Sequence, residues 1–166
     1  MKFPVKSLLV ALCLAGSTAT YAQIATSQDK AFVAKVSQGG MYEVAAGKLA
    51  MNKATTQDVR DLATAEVHDH ILVGGKLKSV SAEAGITFSS EANAEFSAKL
   101  KHLATLQGTK FDAEYLAEMG AIHDADGAAF EKESKDGGTA DFRAFGSETH
   151  KIVLRHIGAI KAVPAN

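Results

Sequence analysis

The sequence predicts an all-α protein, an antiparallel up-and-down four-helix bundle with an extra crossover helix between the second and third long helices. Beyond the N-terminal segment Pro164 is the only proline, and alanine, lysine and glutamate, all good helix formers, are frequent. Apolar residues recur at spacings of three and four, and no sustained alternation of β-branched residues indicates strands. Short links between long helices imply antiparallel neighbours.

Five helical segments are predicted, near residues 27–52, 56–84, 90–106, 108–135 and 139–163. The second has a polar N-cap in Thr55 or Thr56, whose side-chain oxygen can accept a hydrogen bond from the first turn. Gly85 is expected to end this helix in a left-handed conformation, which glycine adopts without a steric penalty.

The later boundaries have similar local causes. Ser89 or Ser90 is expected to start the short crossover helix. Gly108 marks the turn into the third long helix, and Gly137 and Gly138 form the turn before the last one.

The N-terminus has the composition of an export signal. Lys2 and Lys6 give it a basic start, residues 7–16 are apolar, and residues 20–22 resemble a small-residue cleavage site. The apolar run is too short for a permanent membrane-spanning helix. We therefore expect cleavage near Ala22 and a periplasmic or secreted product without an integral membrane segment.

Two regions follow from this division, a signal peptide at residues 1–22 and a single domain at residues 23–166. Cys13, the only cysteine, lies in the signal and is preceded by Leu12, which does not suit a lipid-anchoring motif. Cleavage leaves a cysteine-free chain, so disulfides and thiolate metal sites are excluded from the predicted domain.

The charge pattern argues against nucleic acid as a partner. The 18 basic and 19 acidic residues give a formal net charge of −1 and are interleaved along the chain. There is no arginine cluster and no series of aromatic residues that would stack on bases. The sequence also has no phosphate-binding loop, no dinucleotide fingerprint and no Gly-x-Ser-x-Gly elbow.

Four polar residues interrupt the apolar stripes of the four long helices, one on each stripe: Glu43, His70, His123 and His156. Each stripe should face a shared core, where polar groups are costly to bury without a partner. Glu66 lies one turn before His70 on the same face, at the spacing at which two side chains can converge.

Three imidazoles and a carboxylate suit a borderline divalent metal ion such as zinc, iron or copper. We therefore predict Glu43, His70, His123 and His156 as metal ligands. Glu66 and Tyr115 are predicted to hydrogen-bond to ligands from outside the metal's coordination sphere. Asp69, about 100° round the helix from His70, is expected to face a neighbouring helix or solvent. The remaining histidines are interpreted as surface residues: His68, His102 and His150.

Two other interpretations of these residues stay open. The histidines and Glu43 can form a metal-free buried network, with Glu43 paired to His70 or His156. The core can alternatively hold haem or another small molecule. An enzyme would need an open coordination position and an access path, and the sequence shows neither.

Several segments resemble a bacterial family of exported proteins that is catalogued as a domain of unknown function and often labelled an outer membrane protein. The similarity covers roughly residues 29–161. It is carried by Gln-Gly-Gly-Met-Tyr-Glu-Val at 38–44, Val-His-Asp-His at 67–70, Phe-Asp-Ala-Glu-Tyr-Leu-Ala-Glu-Met at 111–119, His123, Phe-Glu-Lys-Glu at 130–133 and Leu-Arg-His at 154–156. The resemblance implies a ferritin-like four-helix bundle with a metal centre.

The family pattern is matched at Glu43, Asp69, His70, Tyr115, His123 and His156. One departure is Ile122, which stands where the family usually has an aspartate, and leaves Asp124 and Asp126 as candidate substitutes. A standard di-iron centre takes a Glu-x-x-His motif from each of two helices. Here Gly120 and Val153 stand three residues before the histidines, so the sequence favours a histidine-rich mononuclear site or a divergent dinuclear one.

The sequence thus predicts a periplasmic ferritin-like protein that binds a transition metal, in metal handling or in oxidative or envelope stress. The alternative is a metal-free envelope stress or protein-interaction bundle with a buried His/Glu network. The outer membrane label gains no support, because the alternating strands of a barrel are absent from the sequence.

Overall fold

The computed structural model describes residues 25–164, and all regular secondary structure in that range is helical. The five helices are α1 (Ser27–Lys53), α2 (Gln57–Glu83), α3 (Ala94–Thr105), α4 (Gly108–Asp136) and α5 (Ala140–Ala162). The predicted all-α class and the number of helices are confirmed. The predicted signal peptide, residues 1–22, lies outside the described residues.

The four long helices close into a ring. Helix α1 packs along α2 and α4 packs along α5, while further contacts join α1 to α4 and α2 to α5. Helix α3 lies against α1 and α4. The result is a helical bundle whose interior is shared by α1, α2, α4 and α5. Within residues 25–164 no helix is both long and apolar enough to cross a membrane.

Helix α2 begins and ends where its local sequence predicts. The hydroxyl of Thr56 accepts a hydrogen bond from the amide of Val59 at 3.3 Å and so caps the first turn. Gly85 has a φ of +69°, the left-handed conformation expected after the last turn. The neighbouring Thr55 has a different role, because its amide donates to the buried carboxylate of Asp112 at 3.1 Å and joins the α1–α2 connection to α4.

The predicted start of the crossover helix is wrong by several residues. Asn93 is the N-cap of α3, and its side chain accepts a hydrogen bond from the amide of Phe96 at 2.8 Å. Ser89 instead accepts from the amide of Glu91 at 3.0 Å and stabilises a turn ahead of the helix. A stronger cap therefore lies downstream of the serines, and α3 begins at Ala94.

The start of α1 and the turn before α5 share one carboxylate. Asp29 and Thr26 form a capping box, in which the amide of Thr26 donates to Asp29 Oδ2 at 2.7 Å. Asp29 Oδ1 also accepts a hydrogen bond from the amide of Gly138 at 2.8 Å. A Cβ at Gly138 would lie 2.6 Å from Asp29 Oδ2, so this turn needs a glycine for close approach.

The core consists of two apolar clusters. At one end Phe32 packs edge-on against Phe130, Phe142 and Phe145, with ring centroids 5.3, 6.5 and 6.2 Å away. The other cluster is built from the second half of α1 and the first halves of α2 and α4, with Tyr115 among its largest side chains. Along each long helix the predicted polar residue lies near the boundary between the two clusters, where it faces the interior.

Candidate metal centre

The structure brings together one polar side chain from each long helix. Glu43 comes from α1, His70 from α2, His123 from α4 and His156 from α5, and all four are buried. The sequence predicts this convergence, because each of the four residues interrupts an apolar helix face that should point into the shared core. Their assignment as metal ligands stays a prediction.

The three imidazole rings form an equilateral triangle. The ring centroids are 5.3 Å apart for each of the three pairs. One nitrogen of each ring points inward: His70 Nε2 lies 3.3 Å from His123 Nε2, which lies 3.2 Å from His156 Nδ1. One ring nitrogen from each of the three histidines lies within 4.8 Å of the other two, an arrangement that can hold a metal ion.

The outer nitrogen of each ring has an acceptor of its own. His123 Nδ1 lies 2.8 Å from the carbonyl oxygen of Met119, one turn earlier in α4. His156 Nε2 lies 2.8 Å from Asp69 Oδ2. His70 Nδ1 lies 3.1 Å from Glu43 Oε2.

These acceptors determine where the ring protons lie. A carbonyl oxygen only accepts, so the proton of neutral His123 is on Nδ1. The carboxylate of Asp69, whose pKa is lowered, likewise places the proton of His156 on Nε2. When Glu43 is ionised, it places the proton of His70 on Nδ1 in the same way. The inward nitrogens of His123 and His156 then carry a lone pair and no proton, and with Glu43 ionised the same holds for His70. In that state three lone pairs face one another at the centre of the bundle.

Protonation of the imidazoles themselves does not resolve this arrangement at neutral pH. Burial, assisted by the neighbouring imidazoles, lowers the pKa of His70 to about 3. Burial lowers the pKa of His123 to about 4, despite the hydrogen bond to Met119. Burial also lowers the pKa of His156, although Asp69 opposes the shift. The imidazoles are therefore neutral, which is the form that binds metal ions.

A second carboxylate, Glu66, reaches the same centre. Its Oε1 lies 3.6 Å from His123 Nε2 and has no hydrogen-bond partner, while its Oε2 accepts a hydrogen bond from the Tyr115 hydroxyl at 3.4 Å. Burial raises the pKa of Glu66 to about 8. An unpartnered buried carboxylate oxygen is costly, and a cation beside it would remove that cost.

Glu43 lies on the opposite side of His70 from the inward nitrogen. Its Oε2 faces His70 Nδ1, and its Oε1 lies 3.5 Å from His123 Nδ1 without a hydrogen bond. Burial raises the pKa of Glu43 well above its ordinary value, and the carboxylates of Asp126 and Glu66 raise it further. Glu43 thus contacts the outer, proton-bearing nitrogens of two rings.

Asp69 faces a neighbouring helix, as its position on α2 predicts. Besides His156 it accepts a hydrogen bond from Arg155 Nη2 at 2.7 Å. Partial burial opposes ionisation, but the hydrogen bonds from His156 and Arg155 outweigh it and lower the pKa of Asp69. The sequence placed Asp69 correctly and missed its role, the orientation of His156, for which the family motif at residues 67–70 was the available signal.

The other polar candidates lie away from the three rings. His68 and His102 are exposed and His150 is half-buried, in keeping with their interpretation as surface residues. Asp124 is exposed. Asp126 is buried, lies 3.4 Å from Lys35 Nζ and adds negative charge near Glu43.

None of the curated proteins matches this chain. It is similar to a solved structure described as the crystal structure of a DUF305 fragment from Deinococcus radiodurans, with 16% sequence identity and a TM-score of 0.74. The match covers 84% of this chain and 97% of the other, and at this identity it concerns the fold alone.

A family model confirms the family that the sequence motifs resemble. The model of a family described as a domain of unknown function, DUF4142, matches residues 15–163. The match takes in all five helices of the bundle and every residue of the histidine centre. The chain therefore belongs to the DUF4142 family.

Proposed function

We propose that the protein binds one transition-metal ion at the centre of its bundle. The donor atoms are His70 Nε2, His123 Nε2 and His156 Nδ1, with Glu66 Oε1 as the fourth. The observation that carries the proposal is the set of three inward ring nitrogens, each belonging to a ring whose outer nitrogen faces an oxygen acceptor. A positive ion is the partner that three converging lone pairs require.

The spacing of these nitrogens fits a tetrahedral ion. Metal–nitrogen bonds of about 2.0–2.1 Å place the donor atoms of a tetrahedron about 3.3–3.4 Å apart. The distances of 3.3 and 3.2 Å from His123 Nε2 to its two neighbours match this edge length. Zinc is the ion whose preferred geometry agrees best, and iron and copper accept the same imidazole donors.

The proposal gives Glu66 and Glu43 different tasks from those expected on sequence. Glu66 Oε1 lies on the inner side, 3.6 Å from His123 Nε2, and is free to approach an ion. Glu43 orients His70 from the outer side, where its Oε2 lies 3.1 Å from Nδ1. Asp69 does the same for His156, a pairing of carboxylate and imidazole that raises ligand basicity.

We further propose that the bundle is antiparallel and ferritin-like. Only residues 54–56 separate α1 from α2, and only residues 137–139 separate α4 from α5. The first half of α1 shares an apolar cluster with the second half of α2, as antiparallel packing requires. The predicted export signal supports a periplasmic or secreted location, where such a site would serve metal handling or stress defence.

The metal-free buried network remains the second candidate. It is favoured by the direct contacts of the rings with Glu43 and Asp69, which bury polar groups without an ion. This candidate needs a proton between His123 and a neighbour on the inner side of the triangle, and burial disfavours a charged imidazole there. A protonated Glu43 that donates to His70 Nδ1 would supply the contact, because the proton of neutral His70 would then lie on Nε2.

The test is a calorimetric titration of Zn²⁺ into the untagged, chelator-stripped chain from Gln23. We expect one equivalent to bind to the wild type and stoichiometric binding to be lost in His123→Ala. His68→Ala is the matched control, because His68 is exposed on α2 and should leave binding unchanged. Equal binding by His123→Ala and the wild type would refute the assignment.

A second pair of variants separates the two glutamates. Glu66→Gln removes a proposed donor charge, whereas Glu43→Gln removes only an orienting carboxylate. We expect the larger loss of affinity in Glu66→Gln. The reverse order would return Glu43 to the ligand set that the sequence predicts.

A further inference from the structure

A pocket of about 360 Å³ opens between α1 and α2, beside the histidine centre. Its walls are mostly apolar and come from three parts of the chain: Val36 and Val44 on α1, Val73 and Leu77 on α2, and Phe88 in the connection from α2 to α3. A volume of this size accommodates a small organic molecule. Walls of this composition favour a molecule with a hydrocarbon group to bury.

The pocket follows the two helices lengthwise. Its lining residues run from Val36 to Val44 on α1 and from His70 to Lys78 on α2. Each stretch spans about 12 Å, because an α-helix rises 1.5 Å per residue. One extended octyl chain is of similar length. The two long chains of a membrane lipid do not fit a volume of about 360 Å³, so the size favours a molecule with a single chain.

Two glycines leave this space open. Gly40 on α1 and Gly74 on α2 both line the pocket, and a Cβ built at either position would have no heavy atom within 4 Å. A larger side chain at either position would project into the open space. The pocket therefore depends on the absence of a side chain at these two positions.

The exposed rim of the pocket has a positive charge at one end. Lys78 is exposed there, and it forms no hydrogen bond or ion pair with any other residue in the range 25–164. Ile71 lies two turns earlier on the same face of α2, also lines the pocket and is 52% exposed. The rim thus joins a free ammonium group to an apolar surface.

The acidic groups of the pocket lie on its buried side. Glu43 and Asp126 are 1% and 4% exposed. Each already has a nitrogen neighbour, since Glu43 lies 3.1 Å from His70 Nδ1 and Asp126 lies 3.4 Å from Lys35 Nζ. A ligand needs no ionic contact with either of them. An anionic head group is therefore favoured at the exposed end beside Lys78 and disfavoured on the buried side.

We propose that this pocket binds the free anion of a medium-chain fatty acid, with its carboxylate beside Lys78 and its chain in the groove between α1 and α2. The ammonium group of Lys78 would donate a charge-assisted hydrogen bond to the carboxylate. The chain would bury its methylene groups against side chains such as Leu77 and Val73. The head group stays at the rim, where it keeps its contact with water.

The test is a titration of octanoate into the chelator-stripped chain from Gln23, followed by NMR chemical shifts. Stripping ensures that the carboxylate has no metal ion to bind at the histidine centre. Octylamine is the probe of opposite charge, and butanoate is the probe with a short chain. We expect saturable binding of octanoate, about tenfold or more tighter than that of either control. Failure to saturate at millimolar octanoate, or equal or tighter binding of octylamine or butanoate, would overturn the proposal.

A charge-reversal variant locates the carboxylate. Lys78→Glu should weaken octanoate binding about fivefold and strengthen octylamine binding, because the charge at the rim changes sign. Lys76→Glu is the control: Lys76 is an exposed lysine of the same helix that does not line the pocket. Unchanged octanoate binding in Lys78→Glu, or an equal loss in Lys76→Glu, would overturn the assignment of the head group to Lys78.

Pocket-filling variants locate the chain. Gly40→Leu and Gly74→Leu place a side chain in the open space and should weaken octanoate binding about tenfold or more. Gly75→Leu is the control, because Gly75 is the next residue of α2, has open space at its Cβ and does not line the pocket. Unchanged binding in both pocket variants, or the same loss in Gly75→Leu, would overturn the proposal.

The fatty-acid site and the metal site are tested separately. Octanoate is titrated into metal-free protein, and Zn²⁺ is titrated in the absence of octanoate. Octanoate binding by a chain that binds no Zn²⁺ would refute the proposed function and leave the pocket assignment standing. Zn²⁺ binding by a chain that binds no octanoate would do the reverse.

Discussion

His156 on α5 donates a hydrogen bond from Nε2 to Oδ2 of Asp69 on α2, across 2.8 Å. The same carboxylate accepts a hydrogen bond from Arg155, so its position is held from two directions. This contact turns the other nitrogen of the ring, Nδ1, toward His123. The orientation of one donor atom in the candidate centre therefore depends on a residue that does not reach the centre.

Asp69→Ala should weaken metal binding about 10–100-fold, because His156 loses the acceptor that fixes its tautomer and ring orientation. The measurement is a competition titration of Zn²⁺ against a chelator of known affinity. Glu83→Ala is the control: Glu83 is an exposed carboxylate of the same helix, hydrogen-bonded to Ser79. An affinity for Asp69→Ala equal to that of Glu83→Ala would show that the contact has no part in ligand orientation.

Gly146→Ala should destabilise the bundle by about 1–3 kcal/mol, because α5 approaches α4 too closely there for a side chain. A Cβ at Gly146 would lie 2.7 Å from the backbone nitrogen of Ser134 and 3.1 Å from the backbone oxygen of Phe130. Gly158→Ala, in the same helix, meets nothing within 4 Å and should stabilise by about 0.5–1 kcal/mol. Thermal unfolding of both variants checks the prediction, which fails if the two substitutions act in the same direction.

Glu133 should make the protein less stable as the pH rises. Burial, together with the hydrogen-bonded Asp29, raises the pKa of Glu133 from 4.5 to about 7. The folded state then holds this proton between those values while the unfolded state releases it, so the group's contribution to stability falls from about pH 4.5 to about pH 7. Glu133→Gln should be more stable than the wild type at pH 8, by roughly 1–3 kcal/mol, and similar to it at pH 5.

Urea unfolding at pH 5 and pH 8 measures this difference. Glu131→Gln provides the control, because Glu131 is exposed on the same helix and its pKa is lowered by the hydrogen bond from Lys135. It should therefore show no gain in stability at pH 8. A Glu133→Gln variant whose difference from the wild type is the same at both pH values would mean that Glu133 titrates normally in the folded protein.

The helices were predictable because their ends depend on nearby residues. Thr56 and Gly85 mark the two ends of α2. They do so through a hydrogen bond and a backbone angle that involve only a few neighbouring residues. The start of α3 was missed because two serines and Asn93 compete for the same role, and the side chain of Ser89 is engaged in a turn. Propensity alone does not decide between adjacent caps.

The candidate site was predictable as a set of residues and not as a set of contacts. Helical spacing places Glu43, His70 and His156 on interior faces, and the structure brings them together. Which carboxylate lies on the inner side of the rings depends on helix rotation and rotamers, so the spacing did not separate Glu43 from Glu66. The carbonyl of Met119, which fixes the proton of His123, has no side-chain signature in a sequence.

The central claim is that the three histidines hold a metal ion. The most direct measurement is elemental mass spectrometry of the untagged chain from Gln23, together with melting curves recorded with and without chelator. We predict close to one transition-metal ion per chain and a large drop in melting temperature when the chelator removes it, because an ion bound to the folded state stabilises it. A metal-free protein whose melting temperature ignores both chelator and added Zn²⁺ would contradict the claim and favour the buried network.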